Sequence, residues 1–185
     1  MNDRTVNNLA DVTATHGVVT IGTFDGVHLG HQALLRGAVK RAAELRVPVL
    51  VVTFEPIPAS VLRPEQFLGR ICPVDEKLNA IAHAGPDQIL IYEFTREFAQ
   101  LTAAEFMESI TSATHLRELW VGEEFALGRG RSGGVEQLAE LGASLGYAVR
   151  AFPRREDQDG VISSSRIRHA VQLGDVSLAN RLLGR

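Results

Sequence analysis

Short apolar runs rich in β-branched residues alternate along this chain with stretches of helical periodicity, and that alternation constrains the fold more than any other feature. Gly17 to Gly22, Val47 to Phe54, Asp87 to Tyr92, Glu118 to Gly122 and Tyr147 to Phe152 each read as strands. Apolar runs with no polar alternation belong to strands covered on both faces. Between the first two, Gln32 to Arg46 sets Leu34, Leu35, Ala38, Ala42 and Leu45 on one helical face. Val74 to His83, Thr102 to Ser112 and Val135 to Leu145 read as further helices. Thr102 and Glu105 have capping-box spacing, and Gly146 is a stop signal. Two shorter helices follow, Ser165 to Leu173 and Val176 to Leu183. Repeated strand–helix–strand units predict an α/β, Rossmann-like fold, a five-stranded parallel sheet flanked by helices.

Ligands of such sheets collect outside the carboxyl ends of the strands. That rule selects the loops after Ile21, Phe54, Tyr92, Val121 and Phe152. Two of them are long. Glu55 to Pro73 contains Pro56, Pro58, Pro64 and Pro73 and reads as irregular, while Gly122 to Gly134 is glycine-rich. Long loops in compact domains are usually functional.

Composition narrows the class. A length of 185 residues with 45% hydrophobic and 22% charged side chains fits one folded domain, residues 1–185. The net charge of −3 argues against a general nucleic-acid binder, whose affinity comes from phosphate neutralisation. No apolar run approaches the roughly 20 residues that cross a bilayer, and Met1 to Thr15 is a polar arm without signal-peptide character. The expected location is the cytoplasm, with no membrane partner. The single cysteine, Cys72, excludes a disulfide framework or a cysteine-rich zinc site. No residue is assigned as a metal ligand. His16, His83, His115 and His169 are scattered and read as ordinary surface or core histidines. The oligomeric state is left open.

Two segments carry chemistry. Gly22-Thr23-Phe24-Asp25-Gly26-Val27-His28-Leu29-Gly30-His31-Gln32 joins the first strand to the first helix. Gly22 and Gly26 allow tight turns, and Gly30 lets a bulky group approach the helix start. Helix N-terminal amides attract phosphate. His28 and His31, three apart, share a face. They either cap and pack the helix or donate to phosphate oxygens as charge develops on a leaving group. The second segment, Val161 to Arg168, opens a helix with Ser163, Ser164 and Ser165 and then sets Arg166 and Arg168 in its early turns. Serine caps with solvated arginines would account for it. Two cations there oppose the helix dipole, however, and an anion between them would relieve that conflict.

GTFDGVHLGHQ together with ISSSRIR resembles the nucleotidyltransferase superfamily marked by His-x-Gly-His, with its HUP-type fold. More narrowly, the chain resembles the FMN adenylyltransferase domain of bacterial riboflavin kinase/FAD synthetases. The pieces VVTFEP (51–56), DEKLNAI (75–81), LTAAEFMESI (101–110), VGEEFALGRGRSG (121–133) and GDVSLANRLLGR (174–185) match in family order. The resemblance implies that ATP lies over Gly22, Thr23, Phe24, Asp25, Gly26 and Gly30. His28, His31, Ser164 and Arg168 would act on its phosphates, with Ser163 and Ser165 beside them. Magnesium would bridge phosphate oxygens, and the FMN phosphate would attack in line to give FAD and pyrophosphate. The family's riboflavin kinase module is expected to be absent. Phe54, Gly122, Glu124 and Phe125 would border the flavin, between loops 55–68 and 122–131. Glu124 stands where relatives carry Asp or Asn, Ala126 and Leu127 where aromatic and polar residues are common, and Ile57 where His or Gln is usual. Those departures keep two alternatives in view: another phosphorylated acceptor, or a paralogue that binds without catalysis.

Overall fold

The computed structural model describes residues 4–13 and 17–185. His16 and parts of the N-terminal arm lie outside the described residues. The sheet strands are β1 (Thr5–Val6), β2 (Val18–Ile21), β3 (Val49–Glu55), β4 (Gln88–Glu93) and β5 (Glu118–Gly122). Two short strands, β6 (Ala126–Leu127) and β7 (Gly133–Gly134), pair as a hairpin inside the glycine-rich loop. Strand β8 (Ala148–Phe152) returns to the main sheet, and β9 (Glu156–Asp157) with β10 (Gly160–Val161) forms a second hairpin. The helices are α1 (Leu29–Leu45), α2 (Pro58–Leu62), α3 (Val74–Ala82), α4 (Ala103–Ala113), α5 (Val135–Leu145), α6 (Ser164–Gln172) and α7 (Val176–Leu183).

The main sheet is six-stranded and parallel, in the order β1-β4-β3-β2-β5-β8. The five expected strands are all present. The sixth comes from the N-terminal arm, where Thr5 and Val6 pair with Ile89 and Leu90. Two residues are too few to generate a periodic signal, so the five-strand expectation is corrected by one edge strand. Loop 55–73 is likewise more regular than expected: α2 and a 3-10 turn at Pro64–Gln66 each begin on a proline, whose fixed φ suits a first helical position.

Side chains of each strand alternate between two helix layers. Val19, Ile21, Leu50, Val52, Leu90 and Leu119 pack against Phe106, Met107, Ile110 and Leu138 of α4 and α5. Val51 and Ile89 face Leu34, Leu35 and Ile81 of α1 and α3, while Val18 and Val49 meet Ala38 and Ala42. A sheet covered on both faces explains why its central strands carry apolar runs. The Thr102–Glu105 capping box is present, and Gly146 ends α5 at φ 84°.

One buried carboxylate anchors the amino end of the sheet. Glu118 accepts from Arg41, Trp120 Nε1 and Arg150. The Arg41 bonds do most to hold its carboxyl down to about 2.

The helix α5 contains Gly142 at a point where the backbone of Tyr147 turns back over it. A Cβ there would stand 2.4 Å from the Tyr147 carbonyl oxygen. Helix propensity alone makes Gly142→Ala stabilising by about 1 kcal/mol. The crowding reverses the sign, and we expect a net loss of about 1–3 kcal/mol, read as a lower denaturation midpoint at unchanged m-value.

Candidate nucleotide site at the HLGH loop

Strand β2 lies between β3 and β5, so the chain runs to one side of β2 through β3 and β4 and then returns to its other side. The loop leaving β2 therefore opens at the switch point of the sheet, where a crevice forms between diverging connections. That loop is Gly22 to His28, and α1 begins directly after it.

Its backbone is unusual. Phe24 has φ 50°, Gly26 φ 75° and Val27 φ 43°. A β-branched residue in the left-handed region is an outlier, and such conformations persist only where surroundings enforce them. The surroundings here do so. Phe24 and Val27 are buried in the α1–α3 core. Gly22 leaves room for the Phe24 ring, 2.8 Å from where its Cβ would stand. Gly26 leaves room for Ile71 Cγ2 in the same way, at 2.7 Å. Gln32 Nε2 bonds the carbonyls of Val27 and Leu183, both at 2.9 Å.

His28 caps α1: its Nδ1 accepts the His31 amide at 3.3 Å. The lone pair at Nδ1 puts the proton of the neutral ring on Nε2. The two imidazoles stack, with centroids 3.6 Å apart and 19° between planes, and Phe24 meets His31 edge-on at 5.2 Å. A Cβ at Gly30 would stand 3.1 Å from the His28 ring and press on it. The bulky group at the helix start is thus the motif's own histidine. Burial lowers the His28 pKa to about 4, and burial followed by repulsion from His28 pushes His31 well below its usual value. Both rings are neutral at pH 7. His31 Nδ1 is buried without a hydrogen-bond partner among the described residues, a state that calls for one.

Asp25 is the anchor of the loop. Its carboxylate accepts the Ile71 amide and pairs with Arg168 Nη2 at 2.6 Å, while its carbonyl accepts from Ser164 Oγ at 3.1 Å. The second expected segment is thereby brought to the first. Ser163 caps α6 by accepting the Arg166 amide; Ser164 is half-buried and Ser165 exposed. Arg166 and Arg168 take separate carboxylates of the protein itself. Arg166 binds Asp157 through both Nη atoms and fastens the β9–β10 hairpin, whereas Arg168 takes Asp25 and the Gly69 carbonyl. Two carboxylates of the protein itself supply the relief that the sequence pattern required.

The acceptor-side residues are less convergent. Phe54 is buried among Tyr92, Phe94, Phe98 and Phe106, so its ring belongs to the core rather than to the loop mouth. Phe125 is partly buried against the same core. Glu124 is exposed and ion-paired with Arg154. Ile57 is buried. Gly122 ends β5. Cys72 is buried, which pushes its thiol pKa up and makes it a poor nucleophile. Sequence reasoning missed the buried Lys77, whose ammonium meets Glu55, the Phe54 carbonyl and Thr53 Oγ1. Its spacing beside Leu78 and Ile81 marked α3 as a helix without showing which face the lysine takes.

The bifunctional riboflavin kinase/FMN adenylyltransferase of Escherichia coli K12 is 36% identical over 183 residues, 98% of this chain and 58% of the relative. The chain thus spans a little over half the length of such curated relatives. A solved Streptococcus pneumoniae structure described as a macrolide-efflux protein is 33% identical with a TM-score of 0.85, covering 97% of this chain and 59% of that one. No described helix of the present chain is long and apolar enough to cross a membrane. Pantoate-beta-alanine ligase from Francisella tularensis shares the fold, with a TM-score of 0.62 at 14% identity, over 98% of this chain and 78% of that one. The family model for FAD synthetase matches residues 11–166, from the N-terminal arm through the HLGH loop to the opening of α6, and the chain belongs to that family.

Proposed function

We propose that this chain, as a single nucleotidyltransferase domain, transfers the adenylyl group of ATP to the phosphate of FMN, giving FAD and pyrophosphate. The observation that carries the reading is the stacked, neutral His28–His31 pair at the start of α1, held in the switch-point crevice by a strained loop. A neutral imidazole with its proton on Nε2 is a donor without the desolvation penalty of a buried cation. The family match and the E. coli relative's name supply the substrate class.

In the proposed reaction the triphosphate lies along Gly22, Thr23, Phe24, Asp25, Gly26 and Gly30, against the opening amides of α1. Ser163, Ser164 and Ser165 face it from the start of α6. An FMN phosphate oxygen forms a bond to the α-phosphorus, the bond to the bridging oxygen breaks, and pyrophosphate leaves. Histidine N–H groups meet the charge that builds on the phosphate oxygens. The nucleophile is already an anion, so no general base is needed. Positioning and electrostatics supply the rate. Arg168 works chiefly through Asp25, since two of its nitrogens are engaged by Asp25 and Gly69.

Asp25, the carboxylate inside the loop, is taken by Arg168 and Ile71. No cluster of three or more metal-ligating side chains occurs among the described residues. A magnesium ion would therefore arrive with ATP and be held mainly by phosphate oxygens. The flavin would lie between loops 55–68 and 122–131, with Phe125 rather than Phe54 as the available aromatic.

Three outcomes follow from this reading. His28→Ala and His31→Ala should each lower FAD formation from ATP, magnesium and FMN on the order of 100-fold, measured by chromatography on protein whose melting is cooperative. Undiminished turnover in both variants would remove the proposed role. The second outcome concerns pH. His28 has a folded pKa near 4, below its unfolded value of 6.5. The unfolded chain therefore binds the extra proton, so stability is fully present above pH 6.5 and is lost as pH falls towards 4. That site is worth on the order of 3 kcal/mol across the window. Denaturation at pH 7 and pH 5 should show a slope that His28→Asn flattens. The third outcome concerns Glu124. Glu124→Asn frees Arg154 and removes a negative charge near the anionic acceptor, so FMN affinity should hold or tighten in titrations with a non-hydrolysable ATP analogue.

A further inference from the structure

The segment Gly69-Arg70-Ile71 closes loop 55–73, and each of its three residues is gripped by a different element. The Gly69 carbonyl accepts Arg168 Nε of α6 at 2.8 Å. The Ile71 amide donates to Asp25 in the HLGH loop, and its side chain fills the space beside Gly26. Between them Arg70 Nη2 donates to both carboxylate oxygens of Glu55 at 2.9 Å.

Glu55 is the end of β3, and its other partner is Lys77 Nζ at 2.6 Å. The Lys77 side chain is 1% exposed. It also donates to the Phe54 carbonyl at 3.0 Å and to Thr53 Oγ1 at 3.3 Å. Thr53 Oγ1 donates in turn to the Thr23 carbonyl at 3.0 Å. Two polar paths therefore run from segment 69–71 into the HLGH loop, one through Asp25 and one through Glu55, Lys77 and Thr53. The first ends beside Gly26 and the second at Thr23, on either side of Phe24.

We propose that Glu55 is a positioning residue which, shared between Lys77 and Arg70, makes the acceptor loop and the nucleotide loop take up their ordered forms together. The identity of the two ligands rests on the adenylyl-transfer reading; the clamp itself rests on the contacts above. Arg70 is its releasable end, because its side chain is 39% exposed whereas Lys77 is buried and needs a counter-charge. Releasing Arg70 leaves Glu55 paired with Lys77 and the fold intact, but removes one of the three ties on segment 69–71, so that the jointly ordered form of the two loops is less populated. An apparent dissociation constant scales inversely with the fraction of protein in the binding-competent form. A fall of that fraction to about one-tenth weakens both ligands about tenfold. The first ligand to bind then restores order for the second.

The test uses Arg70→Gln, with Glu55→Gln as a second variant whose buried site is more exposed to misfolding. The dissociation constants of FMN and of a non-hydrolysable ATP analogue are measured singly and each with the other saturating. In wild type the two should be nearly independent. In Arg70→Gln each ligand alone should bind about tenfold more weakly and recover when the other is present, by the same factor in both directions. FAD turnover at saturation should stay within about threefold of wild type, and Arg70→Lys, which keeps the charge but loses the planar fork, should restore only part of the affinity. Loss confined to FMN, loss without mutual recovery, or a lower melting temperature with neither constant changed would each overturn the proposal. Failure of the wild-type protein to make FAD would count against the adenylyl-transfer reading alone. The clamp then stands or falls on the ATP analogue, whose affinity must still drop in Arg70→Gln.

Discussion

The Asp25 carboxylate is the contact on which the rest of the site depends. It is buried, and it gathers a guanidinium from α6 and a backbone amide from the segment after Phe67. A buried carboxylate without such partners would be strongly destabilising, whereas one with several hydrogen bonds fixes geometry. Because Asp25 sits between Phe24 and Gly26, fixing it also fixes the left-handed turns on either side. Those turns deliver the chain to α1 with His28 in the capping position. The histidine stack follows from the anchor, and the glycines at 22, 26 and 30 follow from the rings and side chains that the anchor brings close.

Much of this was legible in the sequence, for physical reasons that can be named. The central strands are covered on both faces, so their apolar runs were unambiguous, and α1 displayed its core face as Leu34, Leu35, Ala38 and Ala42. The HLGH loop was legible because its residues lie together along the chain. What escaped notice were contacts made across it. Strand β1 is two residues long, too short to show a period, and only its pairing with β4 defines it. The β9–β10 hairpin is held by Arg166 and Asp157, whose pairing depends on where α6 docks. A lysine in an amphipathic helix reads as solvated, yet Lys77 faces inward because Glu55 waits there. Phe54 looked like a ligand contact because it ends a strand, but four neighbouring rings claim it.

Strain and neutrality serve one end in this site. The loop holds φ values that a free chain would avoid, and the histidines hold a charge state that water would not impose at mildly acidic pH. Both are sustained by packing against α1, α3 and α6. Under the proposed adenylyl transfer, a site preset in this way would need little rearrangement when charge builds on a phosphate, which is what electrostatic preorganisation requires.

The contacts that complete the loop come from the far end of the chain. Ser164 and Arg168 reach Asp25 across 139 and 143 positions, Leu183 reaches Gln32 across 151, and Arg185 reaches Gly26 across 159. A ribosome therefore delivers the HLGH loop well before the residues that hold it. The parallel sheet needs only β1 to β8 to pair, but the strained turn has no tie to α6 or α7 until those helices have left the exit tunnel. The nascent chain should therefore acquire its scaffold before the geometry of its HLGH loop, which is complete only once α6 and α7 have docked.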